Sequence, residues 1–277
     1  MRIFRTSLRA FCAAFPIRGR HRLANSVGKI LSPANEEIIN IGGIQFPVDH
    51  HVEMYRYIYY GIYEEYFVNL LKRIVKQGDI IIEPGANVGY ITSLLSELVG
   101  KNGKVYSMEP SKICFKKIAT YLNKDNIQLM NVAIADIDGK LNFVDKDIVI
   151  EHGYSTFSKF SGKKENDSEY EIPTITVDTL MVQNKIQRAR LLKLDVEGAE
   201  LMALNGAKKT LKEKRIDYIL VETVFRDDCK KLNEEIYEVL VSNGYTPYLM
   251  KKNTLSTFDY KKENHSRHDV IWTCVPQ

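Results

Sequence analysis

A chain of 277 residues is long enough to bury one large α/β core or two small ones. Its hydrophobic share of 44% and charged share of 27% are those of a soluble globular protein, and no apolar run approaches the ~18 residues of a membrane span. Four scattered cysteines (Cys12, Cys114, Cys229, Cys274) form no C-x-x-C pair, which argues against structural zinc or a disulfide framework and for a reducing, cytoplasmic setting.

The net charge of +4 is unevenly placed. Arg2, Arg5, Arg9, Arg18, Arg20, Arg22 and Lys29 all precede the first acid, Glu36, and the rest of the chain is slightly acidic. Read as a helix, residues 2–15 carry Phe4, Leu8, Phe11 and Phe15 at spacings of three and four, with Arg2, Arg5 and Arg9 on another face. Two readings stand. One is a helix docked on the body with a solvated basic face; the other is peripheral contact of residues 1–25 with a membrane or other anionic surface. Arg5 and Arg9 interrupt the apolar core that a cleaved signal needs.

Residues 37–49 alternate weakly around Gly42-Gly43 and read as a hairpin, and Glu64 to Val75 follows a helix period closed by Gly78. From there strands and helices alternate. Strand DIIIEP leads to helix GYITSLLSELVG, strand GKVYSMEP to helix SKICFKKIATYLNKD, and strand NIQLMNVAI to an Asp138-Gly139 turn and strand KLNFVD. Residues 151–171 are polar and read as a loop or lid. A short helix in TITVDTLMVQN, strand RLLKLDVEG, helix AELMALNGAKKTLKEK, strand IDYILVETV and helix CKKLNEEIYEVLVSNG follow; YTPYLMKK and DVIWTCV close as an antiparallel edge pair. The alternation predicts a doubly wound, mostly parallel sheet over residues 63–277, with residues 1–62 as a basic helical and hairpin extension.

In such a sheet, ligands sit at the carboxyl ends of the strands. There the first strand gives Glu83-Pro-Gly85-Ala-Asn87-Val-Gly89, small residues over which a ligand can pack against backbone. The spacing is not the G-x-G-x-x-G of dinucleotide sites, which weighs against an NAD-dependent oxidoreductase. A carboxylate at Glu83 repels a pyrophosphate and attracts an ammonium or sulfonium group, the charge pattern of S-adenosylmethionine (SAM). Glu109, ending the next strand, suits a pair of ribose hydroxyls.

The stretches GDIIIEPGANVGYIT, SMEP, NVAIADIDGKLNFV, ITVDTL and LLKLDVEGAELMALNGAKKTL together resemble the successive motifs of FkbM-type SAM-dependent methyltransferases. The resemblance implies the class I methyltransferase fold, a seven-stranded Rossmann-like sheet with a reversed last strand, and methylation of hydroxyls, often on sugars, glycans or polyketides. It places Glu83, Gly85, Asn87 and Gly89 on the methionine end of the cofactor, Glu109 on the ribose, Ala133 on the adenine and Asp195 toward the methyl group. The family usually has aspartate where this chain has Glu83, and Pro84 removes one backbone donor, leaving binding to later N–H groups.

Methyl transfer to an alcohol needs an aligned acceptor and a base. Asp195, Glu197 and Glu222 are the candidates: Asp195 for cofactor positioning or base, Glu197 for acceptor binding or base, and Glu222 at the same sheet edge. Lys193 is a partner for one of them, and Glu200 suits the dipole of the next helix. No metal is assigned to the acids, no histidine lying near in sequence, and the alternative that they hold a divalent cation orienting a diol stays open, since hard cations need only oxygen ligands; His50-His51 are adjacent, share no face and form no metal site. His152 is a further candidate base, and Tyr154 and Phe157 are candidates for stacking on a sugar. The expected acceptor is a hydroxyl-bearing small molecule or glycan, not nucleic acid, since the body is slightly acidic. A non-catalytic module acting through the basic segment is the other class of reading.

Overall fold

The computed structural model describes residues 2–15, 19–33, 35–145, 156–157, 167–223, 229–251, 254–258 and 268–275. Its centre is an eight-stranded sheet. In chain order the strands are β3 (Ile80–Pro84), β4 (Lys104–Met108), β5 (Ile127–Met130), β10 (Ala189–Leu194), β11 (Ile216–Thr223), β12 (Thr246–Lys251), β13 (Thr254–Thr257) and β14 (His268–Thr273). Across the sheet they run β13-β12-β14-β11-β10-β3-β4-β5. The five strands from β11 to β5 are mutually parallel, and β14 enters antiparallel between β11 and β12.

The apolar runs explain why the sheet is covered on both sides. Successive side chains of a strand point to opposite faces. Ile81, Val105, Leu191, Leu220 and Ile271 therefore pack together on one side, with α4 (Glu65–Ile74) and α5 (Tyr90–Val99) over them. Ile82, Tyr106, Leu192, Ile219 and Trp272 pack on the other, under α7 (Val177–Gln183), α8 (Glu200–Asn205), α9 (Lys208–Lys212) and α10 (Lys230–Ser242). Each fully buried aliphatic residue of this kind contributes about 1.5–3 kcal/mol. The chain runs outward from β3 through β4 to β5, then returns to β10 on the other flank of β3. The carboxyl ends of β3 and β10 thus form the switch point at which such sheets bind ligands.

Several expected elements take a different form. NIQLMNVAI is not one strand: β5 ends at Met130, and Ala133–Ile134 (β6) joins a second sheet of order β6-β9-β7-β8, with β7 Gly139–Asp145, β8 Thr156–Phe157 and β9 Ser168–Ile175. The expected lid, residues 151–171, therefore holds strand at 156–157 and 168–171, where cross-strand pairing with β7 overrides polar composition. Its His152 and Tyr154 lie outside the described residues. The helix expected over AELMALNGAKKTLKEK breaks between α8 and α9, where a Cβ on Gly206 would stand 2.1 Å from the Ala135 carbonyl oxygen. The closing pair gains a third member, β13, hydrogen-bonded to β12, so the sheet has eight strands where the family resemblance implies seven.

Before the sheet come α1 (Arg2–Ala14), α2 (Arg20–Ile30), the hairpin β1 (Glu37–Ile41) and β2 (Ile44–Val48), and α3 (Glu53–Tyr60). The hairpin matches its sequence signal; α2 and α3 carried no clear signal. These elements share a core with the sheet's helices: Cys12, Ala24, Phe46 and Tyr55 pack with Val88, Ile118 and Tyr121. Arg20 pairs with Glu65 at the start of α4. The arginine face of α1 is not solvated. Arg5 is 6% exposed, pairs with Glu37 at 3.0 Å and donates to the Leu31 carbonyl oxygen, while Phe4 on the apolar face is 71% exposed. The hairpin's fixed carboxylate outweighs hydrophobic periodicity here, since an unmet Glu37 beside buried His50 would be costly.

Candidate active site

The turn after β3 is shaped by the chain itself. Gly85 lies at φ 80°, and a Cβ there would stand 2.2 Å from the Asp195 carbonyl oxygen of the neighbouring β10 loop. Gly89, at φ 70°, caps α5, and its Cβ would meet Leu122 at 2.8 Å. The small residues thus let two strand-end loops close on one another. The N–H groups beyond Pro84 are also taken: Gly85 and Ala86 donate to the Met108 carbonyl oxygen at 2.9 and 3.0 Å, and Asn87 donates to Glu109.

Between these loops opens a cavity of about 700 Å³, its mouth included. Pro84, Gly85 and Asn87 contribute from β3, Glu109 and Ser111 from β4, and Asp195 and Glu197 from β10. Val132, Ala133, Ile134 and Phe143 supply an apolar wall from the second sheet. Gly89 and Glu83 are not among its lining residues.

Glu109 is 6% exposed and held by two backbone donors, Asn87 N–H to Oε2 at 2.7 Å and Ser111 N–H to Oε1 at 2.8 Å. Burial pushes its pKa up to about 8 against the pull of those two donors. Each carboxylate oxygen retains a lone pair, so a ligand diol can still be accepted. Asn131 Nδ2 fixes the same loop by donating to the Glu109 carbonyl oxygen at 2.7 Å.

Glu83 lies deeper, with no exposed surface. Ser107 Oγ donates to its Oε2 at 3.0 Å, while its Oε1 is buried without a hydrogen-bond partner, as is Asn87 Oδ1. Burial raises the Glu83 pKa to about 7, opposed by the Lys193 ammonium and the Thr92 and Ser107 hydroxyls.

Asp195 and Glu197, which line the cavity, gather with Glu222, which does not: one carboxylate oxygen from each lies within 4.8 Å of the others. β10 ends at Leu194, and Glu197 and Gly198 take positive φ (49° and 98°), turning the chain across the end of β11, where Glu222 sits. Buried Glu200 accepts from the Val196 and Gly198 N–H groups at 3.3 and 3.2 Å and so holds this loop, a larger task than dipole complement alone. Lys193, 3% exposed, donates to Asp195 Oδ2 at 2.9 Å, and burial is outweighed by the charges of Asp195, Glu64 and Glu83, which raise its pKa. Three carboxylates at this spacing also match the oxygen ligands that a hard cation takes.

Sequence reasoning did not single out the residues that join the second sheet to the loop after β4. Ser111 caps α6 (Lys112–Ile118) through Cys114 N–H and donates to Asp145 Oδ1 at 2.8 Å. Tyr170 donates to Asp145 Oδ2 at 2.7 Å and accepts from Lys112 N–H at 2.8 Å. The cap signal at Ser111 was readable; the pairing with Asp145 spans 34 residues and left no local trace. Cys114 lines the cavity, its thiol pushed up to about 12 by burial, which makes it a packing group and not a nucleophile.

Residues 83–247 match the family model described as the methyltransferase FkbM domain. The hexuronic acid methyltransferase AglP of Haloferax volcanii is 22% identical over 231 residues, covering 83% of this chain and 90% of that protein. Among solved structures, a methyltransferase FkbM from Methylobacillus flagellatus aligns at 11% identity and TM-score 0.45, over 92% of this chain and 59% of its own. The fibrillarin of Aeropyrum pernix, solved with bound S-adenosyl-L-methionine, aligns at 17% identity and TM-score 0.40, over 76% of this chain and 75% of its own.

Proposed function

This chain belongs to the FkbM methyltransferase family and is a SAM-dependent methyltransferase, and from that premise we propose that it transfers the methyl group to a hydroxyl of a saccharide or related acceptor, with SAM held in the cavity between β3, β4 and β10. The observation that carries this reading is the placement of Glu109, Asp195 and Glu197 around one cavity at the switch point, with Glu222 beside the last two.

The residues fit the cofactor. Glu109 offers two carboxyl oxygens, pre-set by two backbone donors, to the ribose hydroxyls. Val132, Ala133, Ile134 and Phe143 give an apolar slot suited to a planar base. Asn87, which lines the cavity, holds a buried Oδ1 in want of a donor, and an ammonium group supplies one. Glu83 then acts from beneath the cavity wall, and Gly85 and Gly89 act by letting the loops close. When bound, SAM supplies an electrophilic methyl group on a cationic sulfur.

The chain's part is alignment and proton removal. A neutral alcohol is a poor nucleophile, and a placed base adds about 10²–10⁴ in rate. Asp195 is fixed by Lys193 and so suits orientation of the cofactor or of the acceptor hydroxyl. Glu197 and Glu222 lie beside it and suit reception of the proton. The saccharide acceptor is supported by the name of the Haloferax relative.

The test is methyl transfer from labelled SAM to fractionated glycans and metabolites. Label is expected as a methyl ether on a saccharide fraction, with a loss of about 10² or more in Glu197→Gln or Glu222→Gln, whichever is the base. Label on amines or nucleic acid alone would reject the acceptor assignment.

A further inference from the structure

We propose that the exposed face of α1 is a docking surface for an anionic lipid bilayer. Ile3, Phe4, Phe11 and Phe15 are 81%, 71%, 38% and 53% exposed, and the Phe11 and Phe15 rings stack at 5.3 Å. At about 100° per residue these positions fall within roughly a third of the helix circumference, so they form one continuous apolar strip. The strip is outward because the opposite face is committed. Arg5 is pinned to Glu37 and the Leu31 carbonyl oxygen, Cys12 is fully buried, and the Arg9 guanidinium lies 4.9 Å over the Tyr59 ring. The helix cannot roll to hide its aromatic residues without giving up those contacts.

Charge selects the occupant. The 35 residues that include α1 and α2 hold seven basic groups and no acid, and Arg22, Lys29 and Ile30 on α2 are exposed as well. A second copy of the chain meeting this face would bring like charges together across the contact, whereas a surface of anionic headgroups complements them. Arg5 and Arg20 are paired with Glu37 and Glu65, so Arg22 and Lys29 are the exposed cations that accompany the strip, and an amphipathic helix with aromatic residues on one side and basic groups near it lies in the plane of such an interface. No described helix is long and apolar enough to cross a membrane, so contact is at the surface.

The experiment is co-sedimentation of the full chain with phosphatidylcholine vesicles, pure or containing about one-third phosphatidylglycerol. The chain is expected to pellet with the anionic vesicles and less so as salt rises through the screening range. The triple substitution Phe4→Ser, Phe11→Ser, Phe15→Ser is expected to weaken binding about tenfold or more. These side chains are exposed, so the unfolding midpoint should be kept, and circular dichroism checks it. Failure of the wild-type chain to bind anionic vesicles, or equal binding by the triple variant, would overturn the proposal. Light scattering showing a dimer that the triple variant dissolves would give the face to a second copy instead. None of these outcomes depends on the identity of the methyl acceptor.

Discussion

The strand ends around the cavity and the N-terminal helix both set arginine, lysine or carboxylate groups beside apolar surface, and they resolve the conflict in opposite ways. At the strand ends the apolar runs go inside, as their periodicity demands, and the charges are gathered at the carboxyl edge, where Lys193 and backbone N–H groups hold them. In α1 the arginine face goes inside and the phenylalanines stay out. The sheet has two apolar layers to fill, so burial decides. The hairpin offers α1 a fixed carboxylate and a tyrosine ring, so charge and cation–π contacts decide.

Breaking the first arrangement should cost most. Lys193→Met leaves Asp195 and Glu83 without their buried cation, and urea unfolding should show a loss of about 3–5 kcal/mol. A loss below about 1 kcal/mol would mean that Lys193 fills space and does not hold the acids.

The same region should carry a pH signature. Glu83 and Glu109 are raised from 4.5 to about 7 and about 8 by burial, so the folded chain binds more protons than the unfolded one in that window. Stability should therefore fall as pH rises from about 5 to about 8 and level off above it, at up to about 1.4 kcal/mol per pH unit for each proton released. Glu109→Gln should flatten the upper part of this slope. An unchanged slope would show that Glu109 is ionised throughout.

The smallest effect belongs to the extension. Arg5→Met removes the pair with Glu37 and the bond to the Leu31 carbonyl oxygen, a loss of about 1–2 kcal/mol. Hydrogen exchange should quicken first in α1, while the cavity loops keep their protection. Quickening at both would show that the two regions fold as one cooperative unit.

What was readable in the sequence follows the same divide. The central strands β3, β4, β10 and β11 came through because buried parallel strands demand apolar runs. The acids at positions 109, 195, 197 and 222 were found because strand ends place them. The glycines were legible as special positions, but the partner of Gly85 is the Asp195 carbonyl oxygen, set by a crossover of more than a hundred residues that no local pattern records. The second sheet escaped notice because β8 and β9 are polar and gain their order from pairing with β7. Of the two readings of α1, the docked helix with a solvated basic face does not hold, because hydrophobic spacing shows which face is apolar, not whether a better-paired charge will take the inside.

The most direct measurement is calorimetric titration of the full chain and its Glu109→Ala variant with SAM. One equivalent should bind the wild-type chain, and the variant should bind at least about tenfold more weakly, as the loss of two hydrogen bonds to the ribose requires. Equal affinity in the two proteins, or no heat of binding by the folded wild-type chain at about millimolar SAM, would contradict the placement of the cofactor between β3, β4 and β10.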